Sequence, residues 1–102
     1  MIFDYHQFAR RIFHTILYNQ DISNIEILLL KSFHRLNLNY FEYNGQSLLH
    51  LCCLYNRLDL LKFLVEFGHC DISIMNRDGW LPVHIASYLG YMDIVLYLLE
   101  CH

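Results

Sequence analysis

Apolar side chains recur three and four residues apart along much of the chain. Tyr5, Phe8, Ala9, Ile12, Phe13, Ile16 and Leu17 mark one helix, with Arg10, Arg11 and His14 on its polar side, and Ile25, Leu28 and Leu29 mark a second. Farther on, Leu58, Leu60, Leu61, Leu64 and Val65 leave Asp59, Lys62 and Glu66 on the opposite face, an amphipathic helix that Gly68 is expected to close. The stretch from Met92 to Glu100 is different. Ile94 through Leu99 are all apolar and only Asp93 and Glu100 are charged, so this helix has to be covered on more than one side.

The pattern repeats with a period of 34. Asn44-Gly45-Gln46-Ser47-Leu48-Leu49-His50 returns as Asp78-Gly79-Trp80-Leu81-Pro82-Val83-His84. In the same register Asp59 meets Asp93, Leu64 meets Leu98 and Glu66 meets Glu100, with Leu60/Ile94, Leu61/Val95 and Val65/Leu99 in step. Each unit reads as a tight turn followed by two helices. Asn44-Gly45 and Asp78-Gly79 are turn dipeptides because glycine takes positive φ without steric cost. Ser47 suits the N-cap of a first helix, and Pro82 suits the first helical turn, where no N–H is needed. Asn56 and Gly90 are the residue types that tolerate a left-handed stop after that helix. Upstream, Leu36-Asn37-Leu38-Asn39 and Glu42 echo Cys70-Asp71-Ile72-Ser73 and Asn76, so a degenerate unit precedes the two clear ones.

These units resemble ankyrin repeats, whose period is about 33 residues and whose first helix opens on T-P-L-H-x-A. Ser47-Leu48-Leu49-His50-Leu51-Cys52 keeps the hydroxyl cap and the histidine without the proline. Leu81-Pro82-Val83-His84-Ile85-Ala86 keeps proline, histidine and alanine but has Leu81 at the cap, a change that costs about 1 kcal/mol. The extra residue of the 34-residue period is expected at His69. The expected fold is all-α: a solenoid of three repeats with short β-turn fingers, in one domain, with a cap repeat at about 1–34, a second at 35–68 and a third at 69–102. Three repeats are about the minimum for a stable stack.

A narrower likeness sits in Arg11-Ile12-Phe13, Phe67-Gly68, Asn76-Arg77-Asp78-Gly79-Trp80, His84-Ile85-Ala86 and Asp93-Ile94-Val95-Leu96-Tyr97-Leu98. With these residues the chain resembles the Notch-regulated ankyrin repeat family, short proteins of three repeats. The resemblance implies a regulator that joins the Notch intracellular domain and its DNA-binding transcription partner, adds its repeats to the ankyrin stack of Notch, and attenuates transcription. It also implies a link to Wnt signalling through a high-mobility-group factor. The sequence departs from that family at Leu48, at Leu51-Cys52-Cys53, in an unusually aromatic first finger and in having nothing after His102. The alternative is a generic cytosolic ankyrin adaptor or targeting subunit unrelated to Notch.

Composition narrows the chemistry. In 102 residues, seven Lys and Arg stand against ten Asp and Glu, with 56% hydrophobic residues and 17% charged, which excludes intrinsic disorder. A slightly acidic chain with no basic run beyond Arg10-Arg11 lacks the footprint that phosphate backbones demand, so no direct nucleic-acid partner is expected. Asp4, His6, Arg10 and Arg11 interrupt any secretory leader, and no run of about 18 apolar residues occurs, so neither a signal peptide nor a membrane span is expected. Cys52, Cys53, Cys70 and Cys101 have no disulfide-like or zinc-finger spacing, and nuclear or cytoplasmic residence follows as the expectation. No cofactor, metal or small-molecule substrate is expected, and no catalytic residues. Ser47 and the histidines fall at equivalent scaffolding positions, and no Gly-rich phosphate loop exists.

A protein partner is expected, and two surfaces compete for it. The finger tips carry Phe41, Tyr43, Gln46, Met75, Arg77 and Trp80, residue types among those that dominate interface cores. Trp80 either contacts a partner or packs across the neighbouring finger, and Arg77 is either a contact or a solvated turn residue. The last helix offers Leu96 and Tyr97, covered by a partner, by a second copy, or by the previous repeat. Gly45, Ser47, His50, Gly79, Pro82 and His84 form the structural motif. Each histidine is expected to bond backbone at a repeat junction, at a cost of about 1 to 3 kcal/mol if removed.

Overall fold

The computed structural model describes residues 38–40 and 42–101, together with Gln7, His14, Tyr18 and Ser23. These last four have helical backbone, and the rings of His14 and Tyr18 lie 4.5 Å apart, one helical turn from each other. The remainder of the expected cap repeat at 1–34 lies outside the described residues, as does Phe41.

A turn of 3-10 helix, Leu38–Tyr40, leads into a hairpin of β1 (Glu42–Tyr43) and β2 (Gln46–Ser47), with Glu42 opposite Ser47 and Tyr43 opposite Gln46. Asn44 (φ 51°) and Gly45 (φ 78°) are both left-handed, the two-residue turn whose twist matches antiparallel strands. Four helices follow: α1 (Leu48–Leu54), α2 (Leu58–Glu66), α3 (Pro82–Leu89) and α4 (Met92–Glu100). Helix α1 packs on α2, α3 packs on α4, and α1 and α3 lie against each other across the repeat junction.

Local chemistry sets the helix ends. The hydroxyl of Ser47 accepts the His50 N–H at 3.3 Å to open α1, while Pro82 opens α3 at the position that lacks an N–H partner anyway. Leu81, as expected, supplies no side-chain cap, but its own N–H donates to His84 Nδ1 at 3.1 Å and its carbonyl accepts from His84 N at 3.0 Å. Helix α3 stops at Gly90, which is left-handed (φ 79°), and α1 stops before left-handed Asn56 (φ 56°).

The close of α2 differs from expectation. Its left-handed residue is His69 (φ 55°), where the extra residue of the repeat is expected, and not Gly68. Gly68 is required for space: a Cβ there would lie 2.7 Å from the Leu64 carbonyl and 2.8 Å from Leu38.

The core runs through both helix pairs without a break. Leu48, Leu49, Leu51, Cys52, Cys53, Leu60, Leu61 and Leu64 join Ile85, Ala86, Ile94, Val95 and Leu98, and Leu38 belongs to the same core. Burial pushes the Cys53 and Cys70 thiols up to about 12 and raises the Cys52 thiol as well, so these sulfurs behave as small hydrophobes. No helix among the described residues is long and apolar enough to cross a membrane.

Candidate functional site: the open end face

The junction between the two helix pairs is a template for what the next junction requires. His50 is fully buried, and its Nε2 lies 2.7 Å from the Trp80 carbonyl. A carbonyl only accepts, so Nε2 carries the proton and Nδ1 offers its lone pair to the Ser47 hydroxyl (2.6 Å) and the Ser47 N–H (3.3 Å). Burial lowers the His50 pKa, outweighing the opposite pull of the Trp80 carbonyl, so the ring is held neutral. Three further bonds tie finger to finger. The Arg77 N–H donates to the Gly45 carbonyl (2.9 Å), Asn76 Nδ2 donates to Gln46 Oε1 (2.9 Å), and the Asp71 N–H donates to Asn39 Oδ1 (2.8 Å).

Thirty-four residues on, most of the same groups stand ready and unused. His84 occupies the place of His50, is exposed, and makes no hydrogen bond through Nε2 among the described residues. The carbonyl of Gly79 and the hydroxyl of Ser73 stand where the Gly45 carbonyl and Asn39 act as acceptors, again without partners among the described residues. A Cβ on Gly45 would meet Arg77 at 2.6 Å, whereas one on Gly79 would meet nothing within 4 Å. The apolar groups follow suit. Half-buried Leu58 and Val65 become Met92 and Leu99, 57% and 53% exposed. Buried Cys53 becomes exposed Ser87, and half-buried Leu54 becomes exposed Tyr88. Ser73 and Leu99 also line a recess of about 50 Å³, together with Ile72, Leu81, Val83 and Leu98.

The residues singled out from sequence divide between this face and others. Ser47 and His50 are buried at the junction, Gly45 lies against Arg77, and Pro82 opens α3. His84 and Gly79 are not used in the same way: among the described residues neither makes the cross-junction contact that His50 or the Gly45 carbonyl makes. Tyr97 is half-buried against the previous pair: Lys62 Nζ sits 5.6 Å from its ring centre, and burial, with Cys101 and Glu66 nearby, raises the pKa of its hydroxyl. Leu96, the counterpart of Lys62, is exposed beside it. Of the finger residues, Gln46 is engaged with Asn76, while Tyr43, Met75, Arg77 and Trp80 are exposed. Met75, Arg77 and Gly45 border a cleft of about 250 Å³ between the fingers, which Glu42, Asn39 and Ser47 also line. Sequence reasoning missed Ser87, Tyr88, Met92 and Leu99. The exchange of an apolar Cys53 for a polar Ser87 at one repeat position was a visible sign of this face.

Comparison with known proteins agrees with the geometry. The family model for ankyrin repeats in three copies matches residues 13–102. A Notch-regulated ankyrin repeat-containing protein of Xenopus laevis is 41% identical over 92 residues, 89% of this chain and 80% of that one. The human protein of the same name is 49% identical over 63 residues, 62% of this chain, which here spans about half of the relative's length (54%). Protein phosphatase 1 regulatory subunit 27 of Mus musculus is 37% identical over 66 residues, 65% of this chain and 42% of that one. With its helix pairs, its hairpin finger and its histidine-bridged junction, this chain belongs to the ankyrin repeat family, whose repeats are protein-binding modules.

Proposed function

We propose that the chain is a non-enzymatic docking module whose end face, beyond α3 and α4, accepts another ankyrin stack and so lengthens it. In this reading the stack is the ankyrin region of the Notch intracellular domain, held together with its DNA-binding transcription partner, and the outcome is attenuated transcription. The observation that carries the reading is the set of open groups on that face: His84 Nε2, the Gly79 carbonyl and the Ser73 hydroxyl, with the apolar recess beside Ser73, stand one repeat on from groups that are engaged at the filled junction. Similarity to proteins named as Notch-regulated supports the choice of pathway. The reading takes unit boundaries at 34/35 and 68/69 and places the protein in the nucleus, the cytoplasm or both.

Size-exclusion chromatography with light scattering tests it. The purified chain is mixed with the Notch ankyrin region, with and without the DNA-bound transcription factor. A one-to-one assembly, strongest with all parts present, is expected. Absence of a complex at tens of micromolar, an affinity weaker than about −7 kcal/mol, with the helical circular dichroism intact, would leave an adaptor for a different partner.

A further inference from the structure

The rim of the end face carries a second feature, made of aromatic rings. Trp80 and Tyr88 stand at right angles, with ring centres 5.9 Å apart and planes at 84°, and the His84 ring meets Trp80 from another direction at 6.5 Å and 83°. Trp80 is 40% exposed and Tyr88 is 79% exposed. Two perpendicular rings leave an angle between them, and both rings are exposed here. A cation in that angle can approach the negative faces of both rings. The chain already uses such a contact internally, where Lys62 covers Tyr97.

Charge points the same way. Residues 38–101 hold three cations, Arg57, Lys62 and Arg77, against seven carboxylates. Arg57 is buried on Asp59 at 3.3 Å, Lys62 lies on Tyr97 and Arg77 packs against Gly45, so none of them reaches the corner. Asp78, exposed two residues before Trp80, adds a further carboxylate on the same finger. An acidic surface with an open aromatic corner selects a basic segment.

We propose that the Trp80–Tyr88 corner receives an arginine side chain from a basic segment of the partner. A guanidinium is planar and weakly hydrated, so it stacks on a ring face at smaller desolvation cost than an ammonium. The corner adds the chemistry of one rim contact to the end-face reading. It rests on that reading for the partner's position, and not for the geometry of the rings.

Trp80 is the one tryptophan of the chain, so tryptophan emission reports this corner directly. The probes are capped peptides alternating glycine with arginine, lysine, trimethyl-lysine or glutamate, titrated at low and high salt. The arginine peptide is expected to change Trp80 emission saturably and more tightly than the lysine peptide, with loss on adding salt. The glutamate peptide is expected to leave the emission unchanged. Tyr88→Ala, at an exposed position, should weaken the arginine peptide about threefold to tenfold.

An unresponsive Trp80, equal binding by Tyr88→Ala, or an equal response to glutamate overturns the proposal. Tighter binding of trimethyl-lysine overturns the choice of arginine. Met92→Lys separates the two readings, because it should abolish assembly with an ankyrin stack and leave the peptide response intact. A failed peptide titration beside intact assembly refutes the corner alone.

Discussion

Truncating the two motif histidines should give very different costs, although the sequence treats them alike. His50→Ala removes a fully buried ring that bridges Trp80 to Ser47. The Nε2 bond to the Trp80 carbonyl and the two bonds into Nδ1 each contribute about 0.5 to 1.5 kcal/mol net. Losing all three, and leaving a space in a close-packed junction, puts the total at about 3 to 4 kcal/mol. His84→Ala removes one bond, from the Leu81 N–H, at an exposed position, and should cost about 1 kcal/mol. In a domain this size a kilocalorie moves Tm by about 4 to 8 °C, so His50→Ala should melt at least about 10 °C below His84→Ala. Thermal and urea unfolding followed by far-UV circular dichroism measure both. Equal losses would refute the assignment of His50 as the junction bridge and of His84 as a residue awaiting one.

Other outcomes follow from the same contacts. Because the folded-state pKa of His50 lies below 6.5, the unfolded chain binds a proton there that the folded chain refuses. This contribution is therefore fully present above pH 6.5 and is lost as pH falls towards the folded value, by at most about 1.4 kcal/mol per pH unit. Urea midpoints across pH 5 to 7.5 should show that slope in the native chain and not in His50→Asn. Gly45→Ala should destabilise more than Gly79→Ala. Both strain a left-handed backbone, but only the first drives a Cβ into Arg77, and paired urea curves decide it. Iodoacetamide at mildly alkaline pH should label Cys101 well before Cys52, Cys53 and Cys70, which react only on unfolding. Mass spectrometry of digests would reveal early labelling of the buried three if their burial is wrong.

Much of the fold is legible in the sequence because its determinants are local. The Asn44-Gly45 turn, the Ser47 cap, Pro82 at the start of α3 and Gly90 at its end each act within a few residues, and the 34-residue period aligns them. What escapes is whatever depends on a neighbour across the junction. Gly68 reads as a helix stop, yet what it supplies is space, beside the Leu64 carbonyl and beside Leu38 thirty residues upstream, and the left-handed turn falls on His69. Tyr97 and Leu96 are adjacent, but Tyr97 is half-buried under Lys62 of the previous pair whereas Leu96 is 55% exposed. His50 and His84 are the same residue in the same motif, and only the presence of Trp80's carbonyl over one of them separates scaffold from open surface. Tyr88 and Met92 carry no motif at all; their meaning lies in comparison with Leu54 and Leu58 one repeat earlier.

Amide hydrogen exchange, recorded for the chain alone and with the Notch ankyrin region, tests the end face most directly. New protection is expected at residues 79–84 and along α4 from Met92 to Leu99, with the 42–47 hairpin unchanged. Protection confined to the hairpin and the cleft beside Met75, or none at all under conditions where the two proteins co-elute, would contradict docking through the end face.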